Sequence, residues 1–291
     1  MREKNRRGIA AMLIAAGLFS FMDSGLKLLS PHYPAIQVAA LRSLASMPLV
    51  VAYIAWRGGF RRVLKARWSL HLLRSAVGIG VLAMFALGVR RLPLSEAYSL
   101  FFIAPLLITA LSAVVLKERV EPARWIAVVV GLSGVLVVLR PTGEGLMTLG
   151  GLAVLAAAAG YAVTAILVRI IGRTDSMETL IFWPMAMMTS GAAVLAAHGW
   201  VPVRFEHAWI LAGIAVFGFF GQLAITEAFR ESEASAVAPF EYTGLAWSVA
   251  LDWILWRALP DRYTLLGATI IIGSGLYLVR REKVHLEAEH P

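Results

Sequence analysis

One acidic residue in an otherwise apolar stretch is the strongest candidate for chemistry in this sequence. Glu241 follows Pro239, which removes a backbone N–H donor and can kink a helix. A carboxyl group at such an interruption can bind a substrate or take up and release a proton. Tyr242 and Thr243 add hydrogen-bonding groups, and Asp252 lies about three helical turns further on, on the same face. The alternative is that Glu241 is a hydrogen-bonded structural acid.

Three further charged residues lie in the first two apolar stretches. Asp23 and Lys27 are spaced i,i+4, so in a helix they share a face and could pair with each other. Asp23 could instead bind a substrate or a proton. Arg42 stays protonated, so it cannot carry a proton. It could pair with Asp23 or hold a substrate carboxylate through two hydrogen bonds.

Aromatic and amide side chains in other apolar stretches could contact a ligand, since aromatic rings stack on flat molecules and attract cations. The candidates are Tyr98, Phe101, Phe102, Tyr161 and Trp183, together with the amide of Gln222. Any single ring of this kind more often packs in the core or faces lipid, so core packing is the alternative for each.

The composition places these residues in a membrane protein. Of 291 residues, 59% are hydrophobic and 15% are charged, whereas soluble domains carry roughly 25% charged residues. Apolar runs such as Ile126–Leu139 contain no charge. The runs are continuous rather than alternating, which favours helices over the strands of a barrel. Each ionisable residue inside a span costs about 2.5–3.5 kcal/mol to insert, so we expect it to have a role.

An all-α membrane protein follows from the number and length of these runs, because a spanning helix needs about 20 mostly apolar residues. We predict ten membrane-spanning helices, at residues 8–29, 35–56, 71–90, 95–116, 122–140, 148–170, 178–198, 208–229, 234–256 and 263–280. The connections are short and several contain proline or glycine, as expected of turns.

Basic residues are unevenly distributed between the two sides that these helices define. The connections 57–70 and 117–124 are rich in Lys and Arg, whereas 30–34 and 141–147 contain none. Because cytoplasmic loops carry the excess of Lys and Arg, both termini are predicted to be cytoplasmic in an inner (cytoplasmic) membrane. The same bias accounts for the net charge of +9 without a nucleic-acid partner.

The second half of the chain echoes the first. Matching segments occur in the same order in both halves, namely Ser95-Glu96-Ala97 with Ser232-Glu233-Ala234, Ala104-Pro105 with Ala238-Pro239, and Pro122 with Pro260. We therefore predict two repeats, 1–141 and 142–291, of five helices each within one transmembrane domain. An odd number of helices makes the second copy insert upside down, as in transporters that work by alternating access. Duplication that serves stability alone is the alternative.

Several motifs along the whole chain match one known family. They are Met22-Asp23 with Lys27, Pro34 with Gln37 and Arg42, Ala104-Pro105 before Lys117-Glu118-Arg119, Ala238-Pro239-Phe240-Glu241-Tyr242-Thr243, Leu259-Pro260-Asp261, and Gly273-Ser274-Gly275-Leu276-Tyr277 before Arg280-Arg281-Glu282. With these motifs the chain resembles the EamA-type transporters of the drug/metabolite transporter superfamily. The resemblance implies a carrier whose cavity is lined mainly by helices 1, 3, 4, 6, 8 and 9. The family often has an acidic residue after the fourth helix of each repeat; here Glu118 has no counterpart at Arg257-Ala258.

The resulting hypothesis is a secondary active transporter of small organic metabolites: amino-acid-like, vitamin, nucleotide-like or amine solutes. The predicted substrate-binding residues are Glu241, Tyr242, Asp23, Arg42, Tyr98, Phe102, Tyr161, Trp183 and Gln222. Glu241 and Asp23 are the candidates for coupling to protons. A flippase for lipid-linked substrates is the alternative within transport. A membrane-embedded enzyme or a scaffold is disfavoured, because the sequence has neither a convergent catalytic set nor an extramembrane domain.

The absence of several other motifs excludes further classes of site and enzyme. The chain has no cysteine, which excludes disulfides and thiolate metal sites. It also lacks HExxH, Walker and Gly-x-Ser-x-Gly motifs. We therefore expect no catalytic residues, no metal and no cofactor. The expected partners are a small-molecule substrate, the lipid bilayer, protons as a candidate coupling ion, and a second copy of the chain in a candidate homodimer.

Overall fold

A computed structural model describes residues 2–89, 91–92, 94–141, 147–257 and 261–289. Every regular element in these ranges is helical, which confirms the all-α fold class. The α-helices are α1 Arg2–Leu29, α2 Ala35–Trp56, α3 Phe60–Leu64, α4 Trp68–Val89, α5 Leu94–Phe101, α6 Ala104–Val115, α7 Pro122–Leu139, α8 Leu149–Ile171, α9 Met177–Ala196, α10 Ala208–Glu231, α11 Ala234–Val237, α12 Thr243–Trp256 and α13 Arg262–Glu289. Short 3₁₀ segments occupy Ala197–Gly199, Phe205–His207 and Ala238–Tyr242.

Local sequence explains where several of these helices begin. The hydroxyl of Thr148 accepts a hydrogen bond from the Gly151 N–H at 3.1 Å and caps α8. Ser176 caps α9 in the same way, through the N–H of Thr179. Pro122 opens α7, where its missing N–H costs no hydrogen bond. Its predicted counterpart, Pro260, lies outside the described residues.

Two of the predicted spans are interrupted rather than continuous. The span predicted at 95–116 is divided into α5 and α6 just before Pro105. The span predicted at 234–256 is divided into α11, the 3₁₀ segment Ala238–Tyr242 and α12, with Pro239 in that segment. Proline cannot donate the helical hydrogen bond and its ring clashes with the preceding turn, so each Ala-Pro pair breaks its helix.

The helices pack in a pattern that is the same for both halves of the chain. α1 packs against α10 and α4 against α8, while α2 packs against α9 and α7 against α13. In the two predicted repeats, α1, α2, α4 and α7 correspond to α8, α9, α10 and α13, respectively. Exchanging each helix with its counterpart leaves this set of pairs unchanged. The α7–α13 pair depends on glycine: a Cβ at Gly267 would lie 2.5 Å from the carbonyl oxygen of Gly134.

The bundle has two ends, which we call the N-terminal face and the opposite face. Asn5 contacts Glu233 at the N-terminal face, and Lys27, at the other end of α1, contacts Asp252 at the opposite face. α8 ends at the N-terminal face, where Arg169 donates a hydrogen bond to the Arg230 carbonyl at 2.6 Å. α1 and α8 therefore run in opposite directions.

Burial differs strongly between the two ends. The largest hydrophobic cluster lies towards the N-terminal face and includes Met12, Ile108 and Phe240. Every residue from Ser232 to Phe240 is buried. Towards the opposite face, the polar side chains of Asp23 and Tyr98 are exposed. Burial is therefore greater at the N-terminal face, and we expect a cavity that opens towards the opposite face.

The chain is a multi-pass membrane protein. Seven helical stretches in the described residues are long and apolar enough to cross a membrane, and Ala40–Trp56 is a shorter apolar helix. The number of ten crossings stays a prediction.

Substituting Gly267 by Ala should destabilise the protein, because the added methyl group would meet backbone atoms of α7. Overpacking of this kind costs about 1–3 kcal/mol. We expect a lower midpoint of thermal unfolding in detergent for Gly267→Ala. Gly78→Ala is the matched control, since a Cβ there meets nothing within 4 Å, and its midpoint should be unchanged or higher. Equal midpoints for the two variants would contradict this account of the α7–α13 contact.

Candidate functional site

Glu241 lies in the interrupted helix and forms a hydrogen bond to α8, the first helix of the same repeat. The hydroxyl of Tyr161, in the middle of α8, donates to Glu241 Oε1 at 3.2 Å. Both side chains are half-buried. The 3₁₀ segment aims Glu241 towards α8, while its neighbour Tyr242 points elsewhere. The prediction that Pro239 distorts the backbone beside Glu241 is confirmed.

Tyr242 is fully buried and packs away from this pair. Its ring lies 6.1 Å from that of Phe102, and a Cβ at Gly131 of α7 would lie 2.5 Å from it. Val135 and Ile271 complete the cluster around it. In this conformation Tyr242 and Phe102 therefore pack on the side of the helix break that faces away from the Tyr161–Glu241 pair. Their contact with substrate stays a prediction.

A row of aromatic rings extends from Tyr161. The Phe101 ring lies 5.7 Å from that of Tyr161 and 5.2 Å from that of Phe85. The row ends at Tyr98, whose ring is 5.6 Å from Phe85. Phe85, in α4, was missed in the sequence because a phenylalanine among aliphatic residues carries no local sign of a site. The row joins α4, α5 and α8 into one aromatic wall, defined by these four residues.

The far end of the aromatic wall lies beside the charged residues of α1 and α2. Tyr98 lies within the range of electrostatic interaction with both Asp23 and Arg42. Asp23 and Arg42 also interact electrostatically with each other. The guanidinium carbon of Arg42 lies 5.7 Å from the centre of the Phe19 ring. Two roles were predicted for Arg42, pairing with Asp23 and holding a substrate carboxylate. Pairing with Asp23 is the simpler of the two.

Lys27 uses a partner that the sequence did not indicate. Its Nζ lies 2.6 Å from Asp252 Oδ1, and both side chains are about half exposed. The contact ties α1 to α12 near the opposite face. Asp252 thus lies near the opposite face and does not extend the polar surface around Glu241.

Two other predicted site residues have contacts elsewhere. Gln222 donates to the Thr226 hydroxyl at 3.2 Å, one turn along α10. The indole N–H of Trp183 donates to the Val63 carbonyl at 2.9 Å, and its ring lies 4.3 Å from that of Trp68. These contacts place Trp183 against α3 and the start of α4, near the N-terminal face. Binding roles for Gln222 and Trp183 stay predictions.

The arrangement combines three kinds of recognition in one place. A carboxyl group hydrogen-bonded to a phenol lies at one end, a wall of rings follows, and an acid beside a guanidinium lies at the other end. Rings attract flat and cationic groups, carboxylates attract cations, and a guanidinium can hold a carboxylate. The geometry is therefore suited to a small organic solute with a ring and a charged group.

Comparison with known proteins identifies the family. The sequence model of the EamA-like transporter family matches residues 6–140 and again 148–280. The chain belongs to the EamA-like transporter family. The two matches divide this EamA-like protein into two similar halves, and its relatives are named transporters. The protein is therefore a small-molecule transporter and not an enzyme.

Three relatives of this EamA-like transporter show the range of solutes in the family. It is 27% identical to a riboflavin transporter of Vibrio cholerae, over 95% of this chain and 94% of the relative. It is 24% identical to a pseudopaline exporter of Pseudomonas aeruginosa, over 96% and 98%. It is 28% identical to an S-adenosylmethionine uptake transporter of Rickettsia conorii, over 97% and 96%.

A solved crystal structure has the same fold as this EamA-like transporter. It covers 97% of this chain and 99% of its own, with a TM-score of 0.82 and 18% sequence identity.

Replacing Phe85 by Leu should weaken binding of any transported solute that carries a flat ring, because it removes the middle of the aromatic wall. Loss of one ring contact worth about 0.5–1.5 kcal/mol raises KM about two- to twelvefold. Uptake into proteoliposomes measures this. Phe205→Leu, in the 3₁₀ segment before α10 and with Phe205 93% exposed, should leave KM unchanged. A Phe85→Leu variant with the KM of the unmodified protein would contradict the assignment.

Proposed function

We propose that this EamA-like protein is a secondary active transporter that crosses the membrane ten times, as two inverted repeats, 1–141 and 142–291. The reciprocal helix pairing supports this, because it is unchanged when the halves are exchanged. The opposite directions of α1 and α8, which begin the two repeats, support the inversion. Two inverted halves that rock about a central cavity can expose it to each side in turn.

We further propose that the N-terminal face is cytoplasmic and that the membrane is the bacterial inner membrane. The basic connections 57–70 and 117–124 lie at this face, which supports the assignment. The named bacterial relatives support the choice of membrane. With this orientation the cavity opens to the outside, so the conformation described is the outward-facing one.

The substrate that fits best is a small organic solute with a flat ring and a basic or hydrogen-bond-donating group. The observation that carries this is the Tyr161–Glu241 hydrogen bond, which places an acid at the inner end of the aromatic wall. Asp23 and Arg42 would contact the polar part of the solute at the other end. Riboflavin and S-adenosylmethionine, the named solutes of two relatives, both carry flat ring systems.

Proton coupling through Glu241 completes the proposal. Its carboxyl group lies at a helix interruption, directly after the buried Ser232–Phe240 segment. A proton bound there would neutralise the charge before that segment moves. Asp23, the other acid of the predicted site, is the second candidate for proton coupling.

Replacing Glu241 by Gln tests the coupling, because the amide keeps the shape of the side chain but cannot release a proton. In proteoliposomes, a pH gradient should drive accumulation of substrate by the unmodified protein and not by Glu241→Gln. Exchange of substrate across the membrane without a gradient should persist at reduced rate.

A panel of labelled riboflavin, S-adenosylmethionine, amino acids, nucleosides and amines supplies the substrate. Glu206→Gln, which changes an exposed acid outside the cavity, is the control and should keep the dependence on the gradient. Unchanged rate and pH dependence in Glu241→Gln would show that Glu241 is not the coupling site.

A further inference from the structure

A buried group of charged and polar residues closes the N-terminal face, apart from the cavity. Arg124, at the start of α7, lies with its Nη1 2.5 Å from Glu233 Oε2 and donates to the Ser235 hydroxyl at 2.9 Å. Arg124 is 3% exposed and Glu233 8%. We call Arg124 and Glu233 the inner ion pair. It joins the first half of the chain to the second directly below the interrupted helix.

Other contacts from the first half hold the same segment of the second half. Glu118 accepts hydrogen bonds from the backbone N–H groups of Ala234 and Ser235, at 3.3 and 3.4 Å, at the start of α11. The Asn5 amide donates to Glu233 Oε2 at 3.2 Å and its oxygen accepts from the Glu233 N–H at 3.1 Å. α1, α6 and α7 thus all converge on residues 232–235, so this face cannot open unless these contacts separate.

The repeat gives the inner ion pair a counterpart elsewhere in the chain. Glu233 lies in Ser232-Glu233-Ala234, which matches Ser95-Glu96-Ala97 at the start of α5. Arg124 follows Pro122 by two residues, and Arg262 follows Pro260 by two residues. The counterpart of the inner ion pair is therefore Glu96 with Arg262.

Backbone conformation supports this correspondence between the halves. Lys117, shortly after the end of α6, has φ 55°, and Arg257, at the end of α12, has φ 56°. A left-handed conformation is unusual for a non-glycine residue, so its presence at both places indicates equivalent turns. Lys117 precedes α7, and Arg257 precedes α13.

Among the described residues, Arg262 has no buried ion pair like that of Arg124. It lies at the opposite face with an exposed side chain, and its guanidinium carbon is 4.8 Å from the centre of the Tyr263 ring. It also donates to the hydroxyl of that tyrosine at 3.1 Å. Arg262 thus has local contacts at the open face, whereas Arg124 is buried in contacts across the closed face.

We propose that the Glu233–Arg124 pair is the gate of the N-terminal face and that Glu96 and Arg262 form the gate of the opposite face, each pair forming only when the other is broken. The proposal rests on the alternating access proposed above. In an inverted repeat the two halves exchange conformations between the two states, so a contact made by one half in one state is made by the other half in the second state.

Disulfide trapping tests the exchange directly, because the chain contains no cysteine. Glu96→Cys with Arg262→Cys should cross-link slowly under oxidant when the inner ion pair is intact. Adding Arg124→Gln should raise the cross-linking rate at least tenfold, since breaking the inner ion pair lets positions 96 and 262 come together. Arg119→Gln, an exposed arginine at the N-terminal face, is the control and should leave the rate unchanged.

A charge exchange separates gating from misfolding. Arg124→Glu with Glu233→Arg restores opposite charges at the inner positions, so the double variant should return the cross-linking rate towards that of the intact pair. Variants are compared after elution as a single species in detergent. A cross-linking rate that Arg124→Gln does not change, or that the exchange does not restore, would overturn the proposal. Cross-linking needs no substrate or proton gradient, so it can fail while the Glu241 proposal holds, and the reverse.

Discussion

The broken helix at Ala238–Tyr242 is the constraint on which the rest of the structure depends. Inside a bilayer, irregular backbone is tolerated only where protein buries it or where it lines a cavity. Pro239 makes the backbone irregular here, and the molecule uses both solutions. Tyr242 and Phe240 are buried on one side of the break, whereas Glu241 turns to Tyr161 beside the aromatic wall. The same break supplies a buried anchor and a polar group for the cavity.

The two ends of the bundle follow from this arrangement. Below the break, α1, α6 and α7 hold residues 232–235 through buried charges and hydrogen bonds, so the N-terminal face is closed. Above it, the side chains of Asp23 and Tyr98 are exposed. A buried ion pair costs desolvation energy that good geometry only offsets. Such a pair is better suited to a contact that must separate than to general stabilisation, which the apolar cluster around Met12 already provides.

Much of this could be predicted from the sequence, because the responsible signals are local. Apolar runs gave the helices, and Pro239 beside Glu241 gave the interrupted site. The contacts that assemble the site could not be predicted, because they join residues far apart in the chain. The sequence indicated Asp23, one turn away, as a partner of Lys27, whereas the structure shows an ion pair between Lys27 and Asp252. Phe85 became a site residue only because α4 packs against α8.

We expect the cavity beside Glu241 to open at the face opposite the N-terminus and to be closed at the other face. Cysteine placed at Tyr98 or Ala238 in the cysteine-free chain tests it, with a membrane-impermeant maleimide added outside intact cells. Tyr98→Cys should be labelled rapidly, since 41% of the tyrosine side chain is exposed. Ala238→Cys, at a fully buried position, should be protected. Labelling of position 238 from outside with none at position 98 would contradict the account.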